Sequence, residues 1–439
     1  MKRIFGPYAY SAGPRDLCWW DQTIAAPEWD RLDGDTDTDV AIVGGGFTGV
    51  SAALHLAEAG IGALVLEAEA PGWGASGRNG GFCCLGGAML KDTAMARAFG
   101  PEAAAEYWRA EAGAVQFAEA LIDRLNLDVD RHSRGETQLA HRPKDMEKLR
   151  RRAEQMIRDG EGEPEVIEAQ DLAAHGLGGP FHGALTIPVG FGLNPRKYLF
   201  GMAAAARAQG ARICAQAPVT AIERGPHGFT LDTPSGRVRA RQVIIATNGY
   251  SSEDLPRWLS ARYVPAQSNV LVTRPLSDAE LAAAGWTSDQ ASYDTRGLLH
   301  YFRLMPDRRF LFGMRGGLVS SPAAEARARA RNRRDFEAMF PAWAHVEAPF
   351  AWSGMVCLAR NRVPFVGAVP RQPGMFAGMA YHGNGVAMGS WSGSLLAALV
   401  GGEDRVPRVM QTPLARFPLG PFRRLLMPPF YIARALADL

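Results

Sequence analysis

Three closely spaced glycines constrain this chain more than any other feature. Gly44-x-Gly46-x-x-Gly49 follows the apolar run Asp39-Val-Ala-Ile-Val43 with no spacer. It opens Val50–Ala59, whose small residues suit a helix lying on a sheet, and Ala63-Leu-Val-Leu-Glu67 then reads as a second strand. Such a β-α-β unit needs a sharp turn after the first strand, a backbone that can approach a pyrophosphate, and tight helix–strand packing. A side chain at any of the three glycines obstructs one of these. N–H groups at the helix start then face the phosphates. Glu67 ends the second strand 18 residues past Gly49, where a carboxylate can accept ribose hydroxyls and disfavours a 2′-phosphate. The reading is a dinucleotide site rather than a structural glycine turn, and the fingerprint alone leaves FAD and NAD both open.

The choice comes from Pro71-Gly-Trp-Gly-Ala-Ser-Gly-Arg-Asn-Gly-Gly81. Five glycines in eleven residues make a backbone able to run against a flat ring, and Ser76, Arg78 and Asn79 add polar groups. The competing reading is an ordinary surface loop. Composition narrows the rest. Forty-eight basic and 45 acidic residues leave +3, too slight a bias for a nucleic-acid protein. Hydrophobic residues at 47% imply a large core and exclude a mainly disordered chain. The five cysteines, Cys18, Cys83, Cys84, Cys214 and Cys357, form no metal or redox spacing, so no metal and a reducing compartment, the cytoplasm, are expected. Met1–Trp20 lacks the apolar core of a secretory signal, and Val40–Leu66 is too interrupted by glycines, His55 and Glu58 for a spanning helix.

Further along, helices are expected at 101–125, Pro143–Ile157, 196–209, Ala323–Phe340 and Gly385–Leu399, with Phe191–Pro195 a loop. Strands are expected at Arg212–Ile222, Gly228–Leu231, Val238–Thr247, 263–274, 299–305, 309–314 and Met375–Met379. A β-α-β opening, a helical insert, an antiparallel-looking section and a glycine-rich return suggest a discontinuous nucleotide domain with a second domain inserted. The division is an N-terminal arm, 1–38; the nucleotide domain, 39–90, 191–255 and 350–402; a substrate domain, 91–190 and 256–349; and a tail, 403–439.

At this level of detail the chain resembles the flavin-dependent D-amino-acid oxidase superfamily, which includes glycine and sarcosine oxidases. Within it the likeness is to gamma-glutamylputrescine oxidoreductase-like proteins. The residues that carry it are Ala41-Ile-Val-Gly-Gly-Gly-Phe-Thr-Gly49, Gly74-Ala-Ser-Gly-Arg-Asn-Gly-Gly81, Ala246-Thr-Asn-Gly249, Trp352-Ser-Gly354, Tyr381-His-Gly-Asn-Gly385 and Phe417-Pro-Leu-Gly-Pro-Phe-Arg-Arg424. The resemblance implies an α/β fold: a Rossmann-like FAD-binding domain of the glutathione-reductase type, discontinuous, with an inserted α+β substrate domain built on a mixed or antiparallel sheet. It implies non-covalent FAD, with Gly44, Gly46, Phe47, Thr48 and Gly49 at the pyrophosphate and Glu67 at the adenosine ribose. Ala75, Ser76, Gly77, Arg78, Asn79, Gly80 and Gly81 are expected along the flavin, and Val219 on the adenine side. Thr247 and Gly249 are expected near the phosphates, and Gly354, Gly378, Gly383, Asn384 and Gly385 near the isoalloxazine. The helix from Gly385 is expected to aim its positive end at the ring, where charge collects on reduction.

The implied reaction is hydride transfer from the carbon bearing an amine to flavin N5, then imine hydrolysis to an aldehyde or keto acid. Dioxygen, giving hydrogen peroxide, or another acceptor takes the electrons. Partners are therefore a small amine, foremost a gamma-glutamyl amine, and an electron acceptor. The rival readings are a D-amino-acid, glycine or sarcosine-type enzyme and an electron-transfer subunit that needs a partner protein. Tyr301, Arg303, Arg315, His382 and Asn384 are the substrate-site candidates. Tyr301 and Arg303 share a strand face, and an arginine fork suits a carboxylate; the competing reading is surface ion pairing. His382 is expected to contact the ring or relay a proton. Cys357 lies near the region where some relatives attach flavin, without matching spacing. The tail from Pro413 interleaves apolar and basic residues, with Phe417, Phe422, Leu425, Leu426, Phe430 and Tyr431, and reads as a helix packed on the substrate domain or as a peripheral membrane contact.

Overall fold

The computed structural model describes residues 1–438, so Leu439, the last residue of the expected tail, lies outside the described residues. Two eight-stranded sheets organise the chain. In the first, Thr36–Val43 lies at the centre, parallel to Gly236–Ile245 on one side and to Ala63–Leu66 on the other. Arg212–Cys214 continues beyond Ala63–Leu66, and Met375–Met379 beyond Gly236–Ile245, both parallel. Parallel strands with both faces covered read as unbroken apolar runs, as Val40–Val43 and Ala63–Leu66 do. Helix Phe47–Glu58 covers one face together with Ala387–Val400. The two helices meet at Gly393, where an added Cβ would lie 2.6 Å from the Ser51 Cβ.

The second sheet runs Phe350–Ala359, Tyr263–Pro275, Arg309–Arg315, His300–Leu304, Ala291–Asp294, Glu136–Leu139, Gly183–Ile187 and Glu165–Glu168. Its pairings are antiparallel except that of Ala291–Asp294 with Glu136–Leu139. Phe302, Phe310 and Phe312 bury their rings under Phe336, Phe340 and Trp343 of helix Pro322–Met339 and the turn after it. Each such ring contributes about 1.5–3 kcal/mol of burial. Alternation then sends Tyr301, Arg303 and Arg315 to the opposite face.

Three expectations change. Phe350–Ala359, expected in the nucleotide segment, is hydrogen-bonded to Tyr263–Pro275 over ten residue pairs and belongs to the second sheet. Arg212–Ile222 is not one strand: Gln216 takes φ 53° and Pro218 follows, so the chain turns out of the parallel strands and starts an antiparallel meander at Ala221 that joins the same sheet through Gly236–Ile245. Phe191–Gly192 pairs with Phe82–Cys83 instead of looping freely. Asn194 then caps helix Pro195–Ala208 by accepting from Arg196 N at 3.1 Å and Lys197 N at 3.2 Å.

Candidate active site

The first sheet and two helix starts line an open cleft. Gly44, Gly46, Phe47 and Thr48 line it, with Glu67, Ala75, Ser76, Asn79, Val219, Thr247, Gly383 and Gly385. Gly44 has φ 110°, and a Cβ there would sit 2.8 Å from Ala246 O. A Cβ on Gly46 would sit 2.8 Å from Ser76 Oγ, which itself accepts from Phe47 N at 2.9 Å. Helix Phe47–Glu58 starts at this wall with no side-chain cap, and so does Ala387–Val400 after Gly385 and Val386. Apart from Phe47 N, which Ser76 Oγ takes, the first-turn N–H groups of the two helices leave partial positive charge at the cleft. Glu67 accepts from Gly45 N at 2.6 Å and Glu69 N at 3.0 Å, while burial pushes its carboxyl above the ordinary range. A glycine-walled, anion-seeking cradle with a carboxylate at its far end fits a dinucleotide cofactor.

Several expected residues stand one layer behind this wall. Gly49 packs against Gly44 O and Gly77 against Gly72 O; Gly81 packs against Leu193 O. Gly249 faces Met355 O, Gly354 faces the Arg78 Cβ, and Gly378 faces Leu396. Gly80 lies under the Tyr301 ring. These glycines make room for protein. Arg78 is buried, stacked 4.1 Å over Trp73, with Nε donating to Trp73 O at 2.7 Å and Nη2 buried without a partner among the described residues. Asn79 braces its own loop: Nδ2 donates to Ala75 O at 3.1 Å and Ser76 O at 2.9 Å, and Oδ1 accepts from Gly81 N at 2.8 Å. The N-terminal arm supports the same loop. Trp20 Nε1 donates to Asn79 O at 2.8 Å, and Arg15 donates to Gly72 O and Trp73 O.

The arginines on the second sheet have different surroundings. Arg303 is fully buried and spent: Nε donates to Gly80 O at 3.1 Å, Nη2 to Leu193 O at 2.8 Å and Nη1 to His132 Nε2 at 2.6 Å. It staples the glycine-rich 71–81 loop to the strand before helix Pro195–Ala208 and is not a free fork, which corrects the expectation. Burial holds its guanidinium down at about 9. Arg315 is half-buried among Tyr301, Tyr293 and Tyr431, and no carboxylate among the described residues pairs with it. A Cβ on Gly383 would lie 2.8 Å from its Nη2, so the guanidinium sits against the glycine-rich return. Burial lowers its pKa. Tyr301 hydrogen-bonds Ser268 Oγ at 2.9 Å and stands between Gly80 and Gly313.

His382 is no proton relay. Its Nε2 accepts from Ala359 N at 3.1 Å, so Nδ1 carries the hydrogen and donates to Gly87 O at 2.7 Å. Burial, with Arg315 nearby, pushes it down to about 4. Asn384 Nδ2 donates to Leu85 O at 2.7 Å. On the other side of that loop Glu136 accepts from Leu85 N at 3.2 Å and Glu111 from Ala88 N at 3.3 Å. Leu85–Ala88 is therefore held from both sides. Sequence reasoning missed Glu111, Glu136, Tyr293 and His132. The Gly86-Gly87 pair was a signal for the loop; nothing local marked the acids that hold it. Tyr293 donates to Glu136 Oε1 at 2.7 Å, which links this loop to the Arg315 surroundings. Among the described residues no cluster could hold a metal ion.

The family model "DAO: FAD dependent oxidoreductase" matches residues 39–399. The chain belongs to this family. It is an FAD-dependent oxidoreductase, and the cleft just described is where its FAD fits. Gamma-glutamylputrescine oxidoreductase of Escherichia coli (strain K12) is 30% identical over 412 residues, 92% of each chain. Glycine oxidase from Geobacillus kaustophilus superposes with TM-score 0.70 at 20% identity, over 87% of this chain and 99% of that one. Iminodiacetate oxidase from Chelativorans sp. BNC1 gives TM-score 0.71 at 20% identity, over 85% and 98%. These structures share the fold.

Proposed function

We propose that this enzyme oxidises a C–N bond in a small amine that carries a carboxylate, gamma-glutamylputrescine or a related gamma-glutamyl amine first among them. The observation that carries the reading is Arg315, a half-buried guanidinium without a carboxylate partner among the described residues, set against the return loop of the FAD cleft. A two-pronged cation held among tyrosines suits a substrate carboxylate. The 30% identity to gamma-glutamylputrescine oxidoreductase supports the gamma-glutamyl class.

Bound FAD supplies the acceptor for the hydride leaving the carbon that bears the amine. Gly44, Gly46 and the helix start after them hold its pyrophosphate, Glu67 its ribose, and Val219 flanks the adenine. Ser76, Gly383, Gly385 and Thr247 line its path. Cys357 also lines the cleft, but burial raises its thiol pKa, which favours FAD held without a covalent bond. Arg315 anchors the carboxylate and Tyr301 walls the pocket over Gly80. His382 and Asn384 position the return loop by fixing Leu85–Ala88. The product imine hydrolyses to aldehyde or keto acid, and dioxygen takes the electrons to give hydrogen peroxide. The cytoplasm is the compartment this reading implies.

The closeness of Arg315 to Gly383 favours one second reading. A carboxylate held there lies near the reacting carbon, as in an α-amino acid, whereas in gamma-glutamylputrescine the two groups are far apart. Oxygen uptake and peroxide release against a panel of gamma-glutamyl amines, plain diamines, sarcosine, glycine and D-amino acids decide between them. Turnover of the gamma-glutamyl amine with little on the amino acids supports the proposal; the reverse order replaces it with the second reading.

A further inference from the structure

Near the end of the chain Arg423 and Arg424 point inward while large apolar side chains point outward. Arg423 is 1% exposed; Nη1 lies 2.8 Å from Glu253 Oε1 and Nε donates to Tyr263 O at 2.8 Å. Arg424 donates to Ile4 O at 3.2 Å and to Leu318 O, and lies 4.6 Å over the Phe5 ring. At the far end of helix Met427–Ala437, Asp438 accepts from Gly297 N at 2.7 Å and Leu298 N at 3.2 Å. Pinned this way, Leu419, Phe422, Leu425, Leu426, Ile432 and Leu436 are 55%, 69%, 67%, 37%, 60% and 63% exposed. A segment that spends Arg423 and Arg424 on anchorage and turns this many large apolar side chains to solvent is built to be covered.

Charge selects what covers it. Between Asp404 and Asp438 the sequence has no acidic residue, and Arg416 is exposed there. The start of the chain has no acidic residue before Asp16, and Arg424 holds that start beside the tail through Ile4 and Phe5. Lys2 and Arg3 are exposed there, with Asp254 answering the terminal ammonium at 3.7 Å. Exposed apolar side chains beside Lys2 and Arg3 match the boundary of an anionic bilayer, where apolar burial and attraction to headgroups add. A second copy would set two faces of like sign together. No helix among the described residues is long and apolar enough to cross a membrane, so contact is peripheral. We propose that Leu419–Leu436, with the exposed cations of Met1–Arg3, docks this enzyme on an anionic lipid surface. The same helix carries Tyr431, the neighbour of Arg315, so the docking face backs onto the substrate side.

The test is flotation of the full-length, FAD-loaded protein with phosphatidylcholine vesicles, with and without about 30 mol% phosphatidylglycerol. Binding is expected on the anionic vesicles, weakening as salt rises. Phe422→Ser with Leu425→Ser should cut partitioning about tenfold or more. Lys2→Ala should cost about fivefold at low salt. An unchanged flavin spectrum and melting temperature confirm that the variants fold. Equal binding to neutral vesicles, or variants that bind like the parent, overturns the proposal. So does a concentration-dependent dimer in light scattering that Phe422→Ser with Leu425→Ser abolishes, since the face then belongs to a second copy.

Discussion

Arg303 and Arg315 sit on paired strands and face the same side of the sheet, so replacing each by methionine separates an anchor from a binding group. Arg303→Met strands Gly80 O, Leu193 O and His132 Nε2, all now satisfied by the guanidinium. Each buried acceptor left alone costs about 1–3 kcal/mol, so the loss is at least about 3 kcal/mol, and FAD retention should fall with it because the glycine-rich 71–81 loop loses its staple. Arg315→Met removes a half-buried charge that no carboxylate answers, and the fold should keep its stability or gain about 1 kcal/mol, because an unpaired charge pays desolvation with no return. Its cost appears with substrate. Two charge-assisted hydrogen bonds of about 1.5–3 kcal/mol each disappear, about 3–6 kcal/mol together, which lowers kcat/KM for a carboxylate-bearing amine by about a hundredfold to about twenty-thousandfold. Thermal melting and steady-state kinetics on both variants check this. If Arg315→Met melts as early as Arg303→Met and leaves kcat/KM alone, Arg315 is structural and the reasoning fails.

Gly46→Val should fold yet lose FAD: the new side chain meets Ser76 Oγ and fills the cradle, and overpacking of about 1–3 kcal/mol corresponds to a tenfold to hundredfold weaker Kd, read by fluorescence titration. Gly86→Ala should do more harm, because the Cβ would overlap Asn384 Nδ2 at φ 130° and break its bond to Leu85 O; a melting temperature within a degree of the parent would count against the loop clamp. Acid should loosen the same region. His382 and His132 are pushed down to about 4 and about 3 by burial, below the unfolded value of about 6.5. The unfolded chain thus binds these protons first, so their stability is whole above about pH 6.5 and declines by about 1.4 kcal/mol per pH unit for each histidine as pH falls. Glu111, raised to about 7 by burial, runs the other way, so the comparison is parent against His382→Gln in urea melts from pH 7.5 to 5. Identical slopes for the two proteins would sink this account.

The nucleotide half was legible because its chemistry is local. Strand, glycine turn, helix and acid lie within one run of sequence, and the backbone requirements at Gly44 and Gly46 belong to those residues themselves. The glycines at 77, 81, 249, 354 and 378 are expected at the cofactor, and at each the missing Cβ makes room for another chain segment. A missing Cβ shows that something approaches closely; it cannot say whether ligand or protein does. The arginines pose the same problem at longer range. Tyr301 and Arg303 share a face as their spacing requires, but whether a fork is free depends on Gly80, His132 and Leu193 arriving from elsewhere. Phe350–Ala359 fell on the wrong side of a boundary because an alternating strand carries no mark of the sheet it joins.

The central claim is a site that oxidises a carboxylate-bearing amine at the expense of FAD. The most direct measurement is an anaerobic visible spectrum of the purified holoenzyme titrated with gamma-glutamylputrescine and, separately, with putrescine, sarcosine, glycine and D-alanine. Bleaching of the oxidised-flavin band by gamma-glutamylputrescine, at far lower concentration than by putrescine, is the predicted result. A flavin that stays oxidised with every carboxylate-bearing amine, or that putrescine reduces equally well, contradicts it.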